Sequence, residues 1–338
     1  VNYLVCRKDL FNKLISTFEQ GFNIQNRNQN LKVYHSISEF KNVSRPILTT
    51  GTFDGVHFGH KIIIDRLKEI AQKQKGETVL LTFSPHPRMV LFPEDHQLQL
   101  INTMEEKIKL LEEAGIEHLI IHPFTKAFSR TTSMQFVRDI IVNQLHTHKL
   151  VIGYNHHFGR NREGSFEHLK EYAPLYGFEV EEISAQLIDD VSISSTKIRK
   201  ALLSGNVSKA SEYLGYNYSF QGRVVEGKKI GRTIGFPTAN LSISDETKLI
   251  PKDGVYAVNV EVKGQLHNGM MNIGNNPTVK GNQQSVEVHI FDFDSSIYDQ
   301  LLRVYFVCRL RDEILFENLD DLQNQLQLDK AKGLEVLR

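Results

Sequence analysis

The sequence predicts two architectures in series: a doubly wound parallel α/β sheet, followed by a small antiparallel β-barrel with a C-terminal helix. Three observations carry this reading. Between Pro46 and Ile183, short apolar runs alternate with amphipathic stretches of helical period, the signature of a parallel sheet with helices on both faces. After Gly215 the helical period gives way to short alternating runs bounded by Gly, Pro and Asn. The 338 residues suffice for two cores, at about 150 residues per domain.

Residues 1–30 hold a short amphipathic stretch (Leu10, Phe11, Leu14, Ile15, Phe18) and an Asn/Gln-rich tract, read as a helix and linker of unknown role. The run Ile47–Thr50 predicts a strand into Gly51, and the spacing from about His60 to Gln74 a helix. The pattern then repeats: strand Thr78–Phe83, helix Thr103–Ala114, strand Glu117–His122, helix Ser133–Leu145, strand Lys149–Gly153, helix Phe166–Tyr176 and strand Phe178–Ile183. Ligands of such sheets sit at the carboxyl ends of the strands, so the loops after Thr50, Phe83 and Gly153 are where chemistry is expected. Helices Ser194–Ser204 and Val207–Leu214 close the first part. Strands are expected at Arg223–Val225, Gly254–Val262, Met270–Ile273, Val286–Phe291 and Leu302–Leu310, enough for a small barrel, with a helix from Leu319 to Leu337 across it. The domains implied are an extension at 1–30, an α/β unit at 31–214 and a barrel unit at 215–338.

Forty Lys+Arg balance forty Asp+Glu, which argues against a nucleic-acid-binding surface and leaves any polyanion to be held locally. Two cysteines, Cys6 and Cys308, are too few for a disulfide framework or a thiolate zinc site, so a reducing cytoplasm is expected. No apolar run reaches the ~20 residues of a membrane span, and Arg7, Lys8 and Asp9 interrupt what a signal peptide would keep apolar. A soluble protein without a membrane partner is therefore expected; self-association is left open.

Gly51-Thr-Phe53-Asp54-Gly-Val-His57-Phe-Gly59-His60 joins a predicted strand to a predicted helix. Its glycines allow close backbone approach, the helix start attracts an anion, and two imidazoles three residues apart share one side of the first turn. Phosphate binding follows, with His57 and His60 stabilising charge that develops on a phosphoryl group under attack. The bland alternative is that the histidines cap the helix; a zinc reading lacks a third ligand. The loop resembles that of nucleotidyltransferases with an HIGH-type signature, which transfer an adenylyl group from ATP. A second segment, Ser192-Ile-Ser194-Ser195-Thr196-Lys197-Ile-Arg199, offers hydroxyls and positive charge at another helix start. With Ser84-Pro-His-Pro-Arg88 and Gly153-Tyr-Asn155-His156-His-Phe158-Gly159, these motifs are similar to the adenylyltransferase half of the bacterial bifunctional riboflavin kinase/FAD synthetase family. That family usually has Phe at the position of His156.

Two decoys are set aside. Gly222 to Lys229 nearly spells a phosphate-binding P-loop, but Lys229 stands where Ser or Thr is required and no helix is expected after it. Asp292 to Arg303 lacks the Gly and Glu of a calcium loop. What remains is Gly231-Arg-Thr-Ile-Gly235-Phe-Pro237-Thr238-Ala-Asn240. In an extended segment Thr238 and Asn240 face the same way and suit one hard cation, Mg²⁺, bridging ATP phosphates, while Gly231 and Gly235 let the loop close. In Val286-Glu287-Val288-His289-Ile290, alternation places Glu287 and His289 opposite the apolar residues. Together with Asp253-Gly-Val-Tyr256 and Met271-Asn-Ile-Gly274-x-x-Pro277-Thr278, these strings resemble riboflavin kinase. The family commonly has Gly where this chain has Asp299.

The resemblance implies a nucleotidyltransferase module followed by a riboflavin kinase module. It implies that Glu287 is the catalytic base of the kinase, with Gly231, Gly235 and Pro237 at its ATP and Thr238 and Asn240 on ATP and metal. In the first module it implies catalysis by His57 and His60, and ATP contacts from Gly51, Phe53, Asp54, Gly59, Asn155, Ser194, Ser195, Thr196 and Arg199. Riboflavin would be phosphorylated to FMN, and FMN adenylylated to FAD with release of pyrophosphate, both steps requiring Mg²⁺. Aromatic residues of the barrel are candidates for a flavin slot, most of them being expected in its core. The alternatives are a kinase whose first module is inactive or takes another acceptor, and a non-catalytic flavin-binding regulator.

Overall fold

The computed structural model describes residues 31–94, 98–154, 156–184, 193–227, 230–275 and 284–338. The expectations for 1–30, Asn155, Pro277 and Thr278 lie outside them.

Six parallel strands form the first sheet: β1 (Lys32–Tyr34), β2 (Pro46–Thr50), β3 (Glu77–Ser84), β4 (His118–Pro123), β5 (Lys149–Gly153) and β6 (Glu179–Ile183), in the order β1-β4-β3-β2-β5-β6. All five residues of β2 are buried, as a central strand covered on both faces requires. Strand β3 lies on one side of β2 and β5 on the other, so the chain winds outward from β2 through β3 to β4 on one side and from β5 to β6 on the other. That reversal opens a crevice at the carboxyl ends, into which the loop after Thr50 emerges.

Helix α1 (Phe58–Gln74) follows that loop and buries Ile64, Leu67, Ile70 and Ala71, a three-four spacing. They join Ile47 and Leu80 in one apolar cluster, each large side chain contributing about 2 kcal/mol by its removal from water. Lys75, in the left-handed region at φ 53°, ends the helix. Helix α2 (Met104–Glu113) starts with a reciprocal capping box between Thr103 and Glu106. Helix α3 (Phe166–Tyr176) covers the β6 side, and α4 (Ser195–Leu203) and α5 (Val207–Leu214) follow.

The helix expected at Ser133–Leu145 is a single α-turn, Ser133–Gln135, continued as a π-helix, Phe136–Val142. Asn143 N–H donates to the Arg138 carbonyl and Leu145 N–H to that of Ile140, both five residues back. The apolar residues come as adjacent pairs, Phe136-Val137 and Ile140-Ile141, and this wider winding buries all four.

Six antiparallel strands close the barrel: β7 (Ser219–Val225), β8 (Ala239–Ser242), β9 (Gly254–Val262), β10 (Gln265–Asn275), β11 (Gln284–Ile290) and β12 (Leu301–Arg311), in the order β10-β11-β8-β7-β12-β9. Phe306 sits at its centre, with the rings of Tyr218, Phe220 and Tyr256 5.2–5.9 Å away and all four side chains fully buried. These aromatic residues are core, and the barrel is packed rather than hollow. Helix α6 (Leu319–Val336) lies across the outside, where Leu326 and Leu334 pack against Phe236, Met270 and Phe291.

The two parts share a core. Ile101, Ile198, Leu202, Val207 and Leu214 belong to the same apolar cluster as the barrel interior.

Candidate active sites

Two polar constellations stand out, one at the switch point of the sheet and one on the outer face of the barrel. In the first, Phe53, Gly55 and Val56 all adopt positive φ (46°, 90° and 34°), folding the loop tightly before α1. A Cβ at Gly55 would lie 3.1 Å from Ile101, so close approach and conformation both require glycine. His57 occupies the position before α1 but makes no side-chain cap bond. Its ring instead stacks on His60 at 3.7 Å, and His60 lies 4.6 Å from the Phe53 ring. Nδ1 of both histidines is buried without a hydrogen-bond partner. Orphaned polar atoms of this kind call for a partner that the folded chain does not supply. Burial lowers His57 to about 4, with the Asp54 charge opposing and that of Arg199 reinforcing the shift; burial, then His57 and Lys107, put His60 well below its ordinary value. Both imidazoles are thus neutral at pH 7, each with one N–H to donate.

Asp54 does not face outward. Its carboxylate accepts from the backbone N–H of Ile101 (3.1 and 3.2 Å) and of Asn102 (3.3 Å), and from Arg199 Nη2 at 2.5 Å. Arg199 Nε also donates to the Gln99 carbonyl, and Ser195 Oγ to the Asp54 carbonyl, 2.8 Å each. Ser194 caps α4 by accepting from Lys197 N–H. The Ser-Thr-Arg segment thus buttresses the histidine loop through Asp54. Two further groups belong here: Lys107, which no sequence motif singles out, and His86, which stands in the Ser84–Arg88 string without a role of its own there. Lys107, nearly fully buried, donates to the Thr52 carbonyl at 2.8 Å, and His86, after β3, feels the charges of Asp54, Arg199 and Lys107. Burial takes His86 to about 4. Its place in a loop at a strand's carboxyl end was the available signal. His156, after β5, has Nε2 buried and unpartnered, its ring stacked 6.2 Å from that of Phe158.

In the barrel, β8 and β11 pair so that Asn240 faces Glu287, and β10 brings Asn272 to the other side of Glu287. Val286, Val288 and Ile290 point into the core, so the expected alternation holds. Thr238 Oγ1 donates to Glu287 Oε2 at 3.0 Å. The loop before β8 is tight: Phe236 N–H donates to the Gly231 carbonyl at 2.8 Å, and a Cβ at Gly231 would lie 2.2 Å from the Phe236 oxygen. His289, its pKa lowered by burial, donates from Nδ1 to the Pro237 carbonyl at 2.8 Å and pins the loop from below. The hydroxyl and amide oxygens of Thr238 and Asn240 are hard donors, which fits a magnesium ion sharing a few protein ligands with substrate phosphates, and leaves the Glu287 carboxylate beside them to accept a proton. Among the described residues there is no cluster of three His, Cys, Asp or Glu able to cage a metal alone.

A strained histidine loop at the switch point of a parallel sheet, joined to a closed barrel with a carboxylate beside Thr-x-Asn, defines a nucleotidyltransferase-like unit coupled to a phosphotransferase-like barrel. Comparison with known proteins gives the family. A family profile described as FAD synthetase matches residues 40–197, and one described as riboflavin kinase matches residues 214–337. The bifunctional riboflavin kinase/FMN adenylyltransferase of Haemophilus influenzae is 38% identical over 83% of this chain and 91% of its own. That of Listeria monocytogenes is 37% identical over 88% and 95%. A crystal structure described as a macrolide-efflux protein from Streptococcus pneumoniae superposes with a TM-score of 0.82 at 32% identity, covering 89% of this chain and 97% of that one. The chain belongs to the bifunctional riboflavin kinase/FMN adenylyltransferase family. Among the described residues, no helix is long and apolar enough to cross a membrane.

Proposed function

We propose that residues 215–338 phosphorylate riboflavin at a site built on Glu287, Thr238 and Asn240, and that residues 31–214 adenylylate the resulting FMN at the His57-His60 loop. The observation that carries the first-module assignment is the pair of buried, unpartnered imidazole nitrogens in the loop at the sheet's switch point. His57 and His60 are neutral donors fixed in place by stacking, suited to hydrogen-bond phosphate oxygens as charge accumulates on them. Gly51, Phe53 and Gly59 shape the cradle. Asp54, Ser195 and Arg199 hold its outer wall, and Ser194 and Thr196 start the helix behind it; Asn155 is assigned to ATP by the family resemblance of its loop alone.

In the kinase, Glu287 accepts the proton of the flavin's terminal hydroxyl as that oxygen attacks the γ-phosphorus and ADP departs. Thr238 and Asn240 would hold Mg²⁺, which neutralises phosphate charge when bound. Gly231, Gly235 and Pro237 form the turn over the phosphates, and His289 keeps that turn in register. Both reactions take place in the cytoplasm on small molecules, without nucleic acid; self-association is compatible with both.

The metal assignment is tested by titrating Mg²⁺ in separate assays of FMN and FAD formation. Thr238→Ala and Asn240→Ala raise the Mg²⁺ needed for half-maximal FMN formation by about tenfold, the loss of one good ligand interaction, and leave the FAD titration in place. An unchanged Mg²⁺ requirement for FMN formation refutes the assignment.

A further inference from the structure

Segment 99–102 of the first unit is held from two sides. On one side it serves the histidine loop: the Gln99 carbonyl accepts from Arg199, and Ile101 and Asn102 N–H donate to the Asp54 carboxylate. On the other it is grasped by the connection between β8 and β9. Leu100 N–H donates to the Thr247 carbonyl at 2.6 Å, and Leu249 N–H to the Leu100 carbonyl at 2.8 Å. Between them Lys248 runs in with no exposed surface; its Nζ donates to the Ile101 carbonyl at 2.7 Å and pairs with Glu106 Oε2 at 2.5 Å, beneath the Tyr218 ring at 4.6 Å. Glu106 is in turn the carboxylate of the α2 capping box, accepting from Thr103 N–H. A second residue from beyond Gly215 reaches the loop itself: Tyr216 donates to the Gly55 carbonyl at 2.7 Å and accepts from Asn102 Nδ2 at 3.2 Å.

A fully buried lysine is costly wherever it only joins two surfaces, and an apolar side chain there would serve as well or better. Lys248 does something an apolar side chain cannot: it fixes the carbonyl of Ile101, whose own N–H orients Asp54. From this we propose that the kinase half of the chain supplies positioning residues, Lys248 and with it Tyr216, to the adenylyl-transfer site, so that the geometry of the ATP loop depends on the docked barrel. The inference rests on His57 and His60 belonging to that site.

The test uses the full-length protein, with FAD formation from FMN and FMN formation from riboflavin assayed separately. Glu106→Gln with Lys248→Met removes both buried charges at nearly constant volume, and Tyr216→Phe removes one hydroxyl. Both variants are expected to raise the KM for ATP in FAD formation, by about tenfold and about fivefold, as for the loss of one or two ordering hydrogen bonds, and to leave FMN formation within about twofold. A structural loss would instead lower both activities together with KM unmoved. The inference is overturned if both variants keep the wild-type KM for ATP, or if both activities fall in proportion. Should the double variant not fold, Tyr216→Phe decides alone. His57→Ala with His60→Ala is run beside them. If that variant still makes FAD, the site reading fails; if it does not and the Lys248 and Tyr216 variants behave as wild type, only the present inference fails.

Discussion

Replacing Asp54 by Asn changes almost nothing in shape and reverses one hydrogen-bonding role. The carboxylate is 1% exposed and accepts from two backbone amides and the Arg199 guanidinium, with no donor asked of it. An amide nitrogen there meets another donor whichever way the side chain is turned, and Arg199, 16% exposed, loses its counter-charge. Breaking one partner of a buried pair costs about 3–5 kcal/mol. Part of that cost is the unpaired Arg199, so adding Arg199→Met should cost clearly less than the sum of the two single changes, a coupling of about 1–3 kcal/mol. The assay is urea unfolding at pH 7 of the four proteins, followed by circular dichroism, with FAD formation measured in parallel. Losses below about 1 kcal/mol for Asp54→Asn, or strictly additive ones, would refute a load shared between Asp54 and Arg199.

Gly227 lies under Asn240, where an added Cβ would be 2.0 Å from the amide nitrogen. Gly227→Ala therefore displaces Asn240, and FMN formation falls about tenfold or more while FAD formation from FMN persists; steady-state assays of both activities check it. His57, held near 4 by burial against 6.5 for an ordinary histidine, binds fewer protons folded than unfolded, so its contribution is complete above pH 6.5 and is lost as pH falls towards 4. Over that window the shift amounts to about 3 kcal/mol of stability. Unfolding curves at pH 7 and at acid pH should show His57→Gln with a shallower acid loss than wild type, and equal slopes would exclude the histidine as their source.

The strand-helix alternation was legible because buried strands and amphipathic helices leave periods in the chain, and the predicted sheet strands and barrel strands appear close to where those periods lie. Strand β1 left no period: it is three residues of mixed exposure, and only its pairing with β4 defines it. The π-helical winding at Phe136–Val142 was hidden because apolar residues in adjacent pairs suit an α-helix nearly as well. The motif residues were legible as residues, but not the direction of their bonds. Asp54 and Arg199 are 145 positions apart, and their pairing depends on α4 returning to the loop after β2. Lys248 reads as an ordinary solvated lysine in the sequence; its burial against Glu106, 142 positions away, follows only from how the barrel docks.

If one chain carries two separable sites, the products formed by two variants reveal it. Supplied with ATP and Mg²⁺, Glu287→Gln should convert FMN to FAD at the wild-type rate yet make no FMN from riboflavin. His57→Ala with His60→Ala should turn riboflavin into FMN and stop there. Loss of both products in either protein would contradict two separable sites.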